Sequence, residues 1–325
     1  MLLEVGGEIK RILEDIRIKR IASADATALA ASEAVKMYVK EFYGRPDELI
    51  SKLQDLCSTI ISLRPTTASL RNCINYILKY AQIAYSEEKS LDFLREEIVK
   101  AADRFLRRME EAKEKIGEIG SKRLENGDVL LTHGYSTTVL SVLRKAREEG
   151  KELKIFVTEA RPELEGRKMA YEIGKLGFKT TLIIDSAARV FMGKIDKVLV
   201  GAEAIAANGA IVNKVGTSTI ATVAYEARVR VMVAAGSYKM SPETVIGTLI
   251  EIEEGPIESV VGFKYLKDLE KEGLSDRVRV RNPLFDVTPA NYIDLIITEY
   301  GVFPSQGIYL LLTKLKDEYM WELWE

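Results

Sequence analysis

From the start of the chain to about residue 120 the apolar positions recur at helical spacing. Val5, Ile9, Ile12, Leu13 and Ile16 form one set, and Leu49, Leu53, Leu56 and Ile60 another. Steps of three and four bring such side chains onto one face of a helix. The clearest stripe runs through Leu94, Ile98, Ala102, Phe105, Met109, Ala112, Ile116 and Ile119, with charged residues between. It predicts one long helix with a core-facing side, long enough to bridge two units. Turn residues then gather at Gly117, Gly120, Asn126, Gly127 and Asp128, where the pattern changes.

Beyond that point the period shortens to β-branched runs at Val129–Thr132, Leu153–Thr158, Thr180–Ile184, Lys197–Val200 and Val229–Ala234. Amphipathic stretches at Thr137–Glu149, Leu164–Leu176 and Thr217–Arg228 separate them, and strands alternating with helices of crossover length imply parallel pairing. The expected fold class is therefore α/β. A helical domain over 1–122 precedes a Rossmann-like domain over 123–325 with a mostly parallel sheet. In an open parallel sheet, ligands bind beyond the carboxyl ends of the strands, so the segments following each strand are the candidate site.

Composition narrows the classes. Of 325 residues, 47% are hydrophobic, enough for a sizeable core. The 47 basic and 49 acidic residues nearly cancel, and no basic run stands apart to steer a nucleic acid. No apolar stretch approaches the ~18 residues of a membrane span. Met1 to Ile9 carries Glu4 and Glu8 in place of a basic start and a hydrophobic signal core, and the cytoplasm is expected. Cys57 and Cys73 read as small buried hydrophobes. A single histidine, His133, excludes a His-rich zinc site and leaves one imidazole for acid–base work. No metal and no cofactor are expected.

Two of the loops share a chemistry. Thr132, His133, Gly134, Tyr135, Ser136, Thr137 and Thr138 leave a strand and enter a helix through a glycine and three hydroxyls; Asn213, Lys214, Val215, Gly216, Thr217, Ser218 and Thr219 repeat the logic. Free N–H groups at a helix start, the helix dipole and side-chain hydroxyls favour a phosphate, with Lys214 adding a cation. Ser136 and Thr217 also fit as ordinary N-caps. The other strands lead to Glu159 with Arg161, to Asp185, to Glu203, and to Lys239. Converging, these would line a polar pocket for a small phosphorylated molecule. No GxGxxG, GxxxxGK(S/T) or GxSxG pattern occurs.

At these loops the sequence resembles the α/β/δ regulatory subunits of translation initiation factor 2B, the α subunit most of all. Ribose-1,5-bisphosphate isomerase and methylthioribose-1-phosphate isomerase are metabolic relatives of that family. The likeness is carried by Arg64-Pro65-Thr66 with Ser69-Leu70, Thr132-His133-Gly134-Tyr135-Ser136, Val157-Thr158-Glu159, Gly166-Arg167-Lys168 and Gly201-Ala202-Glu203. The run Asn208 to Thr217 and the late Phe285-Asp286-Val287-Thr288-Pro289 complete it. It implies a helical N-terminal domain, a Rossmann-like C-terminal domain, and assembly into a homodimer or higher homo-oligomer.

In the isomerases of that family the two proton-handling groups look like a cysteine in the Thr-His loop and an aspartate in the Gly-Ala loop. Here Gly134 and Glu203 occupy those motif positions, and Lys19-Arg20-Ile21 replaces an Arg-Gly-Ala stretch. Glycine cannot transfer a proton, and losing one positioned acid–base group typically removes ~10²–10⁴-fold of rate. The resemblance therefore leads to the expectation of a non-catalytic regulatory subunit. It would bind a phosphorylated sugar or nucleoside monophosphate and the α-subunit of initiation factor 2. The alternative is an aldose–ketose isomerase using Glu203, favoured by Asp185-Ser186-Ala187-Ala188-Arg189 and Pro242-Glu243-Thr244, which look more like ribose-1,5-bisphosphate isomerase.

Overall fold

The computed structural model describes residues 5–21, 23–88, 90–319 and 321, so the Glu4 of the N-terminal reading lies outside the described residues. Five helices come first: α1 (Gly7–Arg17), α2 (Ala24–Glu41), α3 (Pro46–Leu63), α4 (Ala68–Glu87) and α5 (Leu91–Ser121). Their starts have local causes. The Ser23 hydroxyl accepts from the Ala26 amide at 3.3 Å ahead of α2, and Pro46 supplies the fixed φ of a first helical position in α3. The stripe from Leu94 to Ile116 is buried along the 31 residues of α5. Gly117 and Gly120, expected to mark the turn, lie inside that helix. A Cβ at 117 would come within 2.6 Å of Ser141 Oγ and one at 120 within 2.6 Å of Val142 Cγ2, so these glycines let the next helix approach closely.

That helix is α6 (Thr137–Glu148), which follows β1 (Val129–Thr132). Then come β2 (Lys154–Thr158), α7 (Glu165–Lys175), β3 (Lys179–Ile183), the short α8 (Ala188–Phe191), β4 (Lys197–Val200), β5 (Ala204–Ala206), β6 (Ile211–Lys214), α9 (Thr217–Ala227) and β7 (Arg230–Ala234). The last part holds β8 (Met240–Ser241), α10 (Glu258–Lys271), β9 (Phe285–Thr288), β10 (Leu295–Thr298), β11 (Gly301–Phe303) and α11 (Ile308–Tyr319). The main sheet has the order β11-β10-β7-β4-β1-β2-β3 and is parallel except at β11. Chain direction across the sheet reverses between β1 and β4, which are adjacent, and this switch point opens the crevice.

A second sheet, β8-β5-β6-β9, was not expected from the sequence. Its strands are short; β5 pairs with its neighbour β6, but the sheet is completed by residues far apart in the chain, such as Asn213 with Asp286. It carries β6 and the Asn213-Lys214 pair to the crevice. The apolar core runs without a break from Ile9 through Phe105, Val198 and Val233 to Tyr319, joining the helical part to one face of the main sheet.

Candidate functional site

The crevice, a cavity of about 580 Å³, lies between the start of α2, the link from α3 to α4, the start of α6 and the loop following β4. Glu203 ends that loop and is 8% exposed. The Thr67 hydroxyl donates to its carboxyl, and the Arg64 guanidinium stands 3.6 Å from it. Burial pushes the Glu203 carboxyl above the ordinary glutamate range, outweighing the pull of Arg64, Lys239 and Thr67. Arg64 is itself buried at the end of α3, where its Nε donates to Glu253 at 3.0 Å. Lys19 pairs with the same Glu253 at 2.9 Å, and burial lowers the Lys19 pKa.

A second carboxylate enters from the first turn of α2. Asp25 accepts the Thr137 hydroxyl proton at 2.9 Å, lies 3.2 Å from the Lys239 ammonium and receives the Tyr238 hydroxyl at 3.3 Å. Burial acts to raise its pKa, but Lys239, Thr137 and the more distant Lys113 more than offset this, and Asp25 sits below the usual aspartate range. The sequence reading missed Asp25. So too Glu163 and Glu165, which hold Lys214 at 3.7 and 3.3 Å. Nothing in their local sequence separates these acids from ordinary helix-start and loop carboxylates.

Of the expected residues, Arg64, Tyr135, Ser136, Thr137, Glu203, Asn213, Lys214 and Lys239 line the crevice. Ser136 caps α6, accepting from the Val139 amide at 3.2 Å, and the Lys168 ammonium covers the Tyr135 ring at 4.2 Å from its centre. Lys214 and Lys239 are buried. Thus α6 presents its positive end to the cavity.

The other expected residues have structural partners. His133 is buried, its Nε2 lying 2.9 Å from the Val215 carbonyl and its Nδ1 2.5 Å from the Thr158 hydroxyl. A carbonyl only accepts, so Nε2 carries the proton and Thr158 donates to Nδ1; burial, which lowers the His133 pKa, keeps the ring neutral. Gly134 holds a φ of +75°, and a side chain there would press on Lys214 Cβ at 3.2 Å. Asp185 accepts the Ala160 and Arg161 amides at 2.8 Å each and so fastens the loop following β2. In that loop Arg161 reaches the Val260 carbonyl at 3.0 Å and Glu159 pairs with Arg167 at 3.1 Å. The Thr66 hydroxyl donates to Glu251 O and accepts the Glu253 amide at 3.0 Å.

At α9 the expected phosphate loop already holds an anion. Asp286 accepts the Gly216 amide at 2.7 Å and the Ser218 amide at 3.1 Å, while the Thr217 hydroxyl turns inward to the Lys214 carbonyl at 2.6 Å. The helix start attracts negative charge as argued, but the charge is the protein's own. Gly216, with φ +105°, makes the turn.

Buried acids and cations meeting at the switch point of a parallel sheet, beside the start of α6, define a Rossmann-like protein with a charged crevice. The chain belongs to the initiation factor 2 subunit family, whose model matches residues 20–305. A protein of Pyrococcus furiosus named ribose 1,5-bisphosphate isomerase is 41% identical over 98% of both chains. A protein of Methanocaldococcus jannaschii with the same name is 41% identical over 94% of both. Among solved structures, that of a Pyrococcus horikoshii translation initiation factor eIF-2B superposes with a TM-score of 0.77 at 30% identity, covering 92% of this chain and 98% of the other.

These comparisons correct the expectation of a non-catalytic regulatory subunit, because the isomerase-named relatives match at higher identity and over nearly the whole chain. The initiation-factor α-subunit expected as a partner belonged to that reading, and these comparisons do not show it. No helix among the described residues is long and apolar enough to cross a membrane.

Proposed function

We propose that the protein is an aldose–ketose sugar-phosphate isomerase that converts ribose 1,5-bisphosphate to ribulose 1,5-bisphosphate in this crevice. The observation that carries the reading is Glu203, a carboxyl with a raised pKa and 8% exposure, set among Arg64 and Lys239 in a cavity large enough for a pentose bisphosphate. Isomerisation removes a proton from one carbon and delivers one to its neighbour, which requires groups of tuned acidity facing the sugar. Gly134 supplies none, so the reading places the first such group at Glu203.

The two phosphates need two cationic ends. One end is the start of α6 with Ser136, Thr137 and Lys168, where the helix dipole and the ammonium act together. The other would be met by Lys19, Arg20, Arg64 and Lys214, which line the same cavity with Asn213. In this reading Tyr135 forms a wall against the sugar. His133, Gly134, Thr66, Glu159, Arg161, Asp185, Gly216 and Thr217 shape the loops and do not touch the ligand.

Mixing the purified protein with ribose 1,5-bisphosphate and following ¹³C NMR tests this. A ketone carbon of ribulose 1,5-bisphosphate should grow in within many turnovers per enzyme. An unchanged substrate spectrum at high enzyme concentration overturns the reading.

A further inference from the structure

We propose that Asp25 is the general base and Glu203 the general acid of one proton-transfer pair in this crevice. The inference rests on the isomerase reading and adds to it the second group that the reading lacks. Both carboxyls line the same cavity, yet each is held by a different set of partners.

Asp25 is kept as a carboxylate by groups from three elements: the Thr137 hydroxyl at the start of α6, the Lys239 ammonium following β7, and the more distant Lys113 on α5. Tyr238 adds a hydroxyl, and burial pushes its own proton affinity up, so it donates and does not compete for the proton. The side chain remains 16% exposed, and it lines the cavity. Glu203 faces Arg64 and Thr67 with Lys239 and Glu253 farther off, and its burial favours the protonated form. Two carboxyls whose surroundings drive their acidities apart divide the roles of base and acid between them. The bland alternative is that Asp25 only opens α2 and pairs with Lys239. A first-turn acid needs no cavity, however, and the hydroxyls of Thr137 and Tyr238 aim this carboxylate with more bonds than a helix start requires.

The chemistry balances with these two groups alone. Asp25 takes the proton from C2 of the sugar; the C2–H electron pair forms a C1–C2 double bond, and the bond from C1 to the ring oxygen breaks. Glu203 gives its proton to that departing oxygen, which becomes the C4 hydroxyl. The resulting enol phosphate then passes its C2 hydroxyl proton to the Glu203 carboxylate, and C1 receives the proton held on Asp25. C2 ends as a ketone and C1 as a phosphorylated CH₂, with both carboxyls restored. No outside oxidant or reductant is needed, since the oxidation at C2 equals the reduction at C1.

The test uses the full chain and ribose 1,5-bisphosphate carrying deuterium at C2. Wild type should convert it more slowly than the unlabelled sugar. Asp25→Asn, which keeps an acceptor for Thr137, should lose ~10²–10⁴-fold in kcat with KM changed little, and Asp25→Glu should recover part of the loss. In wild type kcat should fall at low pH as Asp25 takes a proton and at high pH as Glu203 loses one. Glu203→Gln should lose the high-pH limb. If Asp25→Asn melts below the assay temperature, the isotope effect and the low-pH limb of wild type decide, and the absence of both overturns the assignment. Active wild type with Asp25→Asn turning over within tenfold overturns the role of Asp25 alone. No conversion by wild type overturns the isomerase reading and this inference together.

Discussion

The Asp25 carboxylate and the Lys239 ammonium stand 3.2 Å apart. One comes from the second residue of a helix in the first part of the chain, the other from the segment following strand β7. The pair pins the helical part to the sheet at the crevice itself, so its strength bears on stability as well as on chemistry.

Replacing Lys239 by Met should leave Asp25 without its cation. Breaking a fully buried pair typically costs about 3–5 kcal/mol, and the partial exposure of Asp25 should bring the loss below that range. The deficit should shrink in acid, because once Lys239 is gone burial favours a proton on Asp25, and the double variant Asp25→Asn with Lys239→Met should regain part of it. Urea unfolding of the four proteins at pH 7 and pH 5 checks this; additive losses would show that the pair is not coupled.

Gly166 and Gly174 both lie in α7 and should respond in opposite ways. A Cβ at 166 would fall 1.8 Å from the Thr158 carbonyl oxygen, a backbone atom, whereas nothing lies within 4 Å at 174. Gly166→Ala should therefore destabilise by about 1–3 kcal/mol through forced backbone movement. Gly174→Ala should stabilise by up to about 1 kcal/mol through helix propensity. Denaturation midpoints of both variants provide the comparison.

Asp286 gives a pH prediction with a definite sign. Burial pushes its carboxyl up to about 6, against the bonds from Gly216 and Ser218. An unfolded aspartate titrates near ~3.9, so the folded state holds the proton more tightly. The contribution of Asp286 is then complete at low pH and is lost as pH rises from about 4 to about 6. The melting temperature of wild type relative to Asp286→Asn should fall across that interval and stay level above it. A rise instead would mean that the amides of α9 hold the carboxylate ionised.

What could be read from the sequence had a short period. The stripe of α5 and the run Val129–Thr132 are found where expected, because a buried face repeats every three to four residues in a helix and a doubly covered strand is apolar throughout. Strands β5 and β8 have three and two residues, too few for any period. β5 pairs with its neighbour β6, but β8 and β9 come from much later in the chain, and the second sheet stayed hidden for that reason. Residues of the loops following β1 and β4 line the cavity, yet residues of one loop separated into different positions. Ser136 and Thr137 face the cavity while His133, three positions earlier, turns into the core between Thr158 and Val215. Asp25 could not be found at all from strand-end logic, since it arrives from a helix start more than a hundred residues before the loops it meets.

The central claim, that Glu203 handles a proton during the isomerisation of ribose 1,5-bisphosphate, is tested most directly by kcat/KM for wild type and Glu203→Gln on that substrate. Gln keeps the shape and the Thr67 contact but cannot give up a proton as the acid does. The account predicts ready turnover by wild type and a loss of ~10²–10⁴-fold in the variant. Equal rates for the two proteins, or no turnover by either, would contradict it.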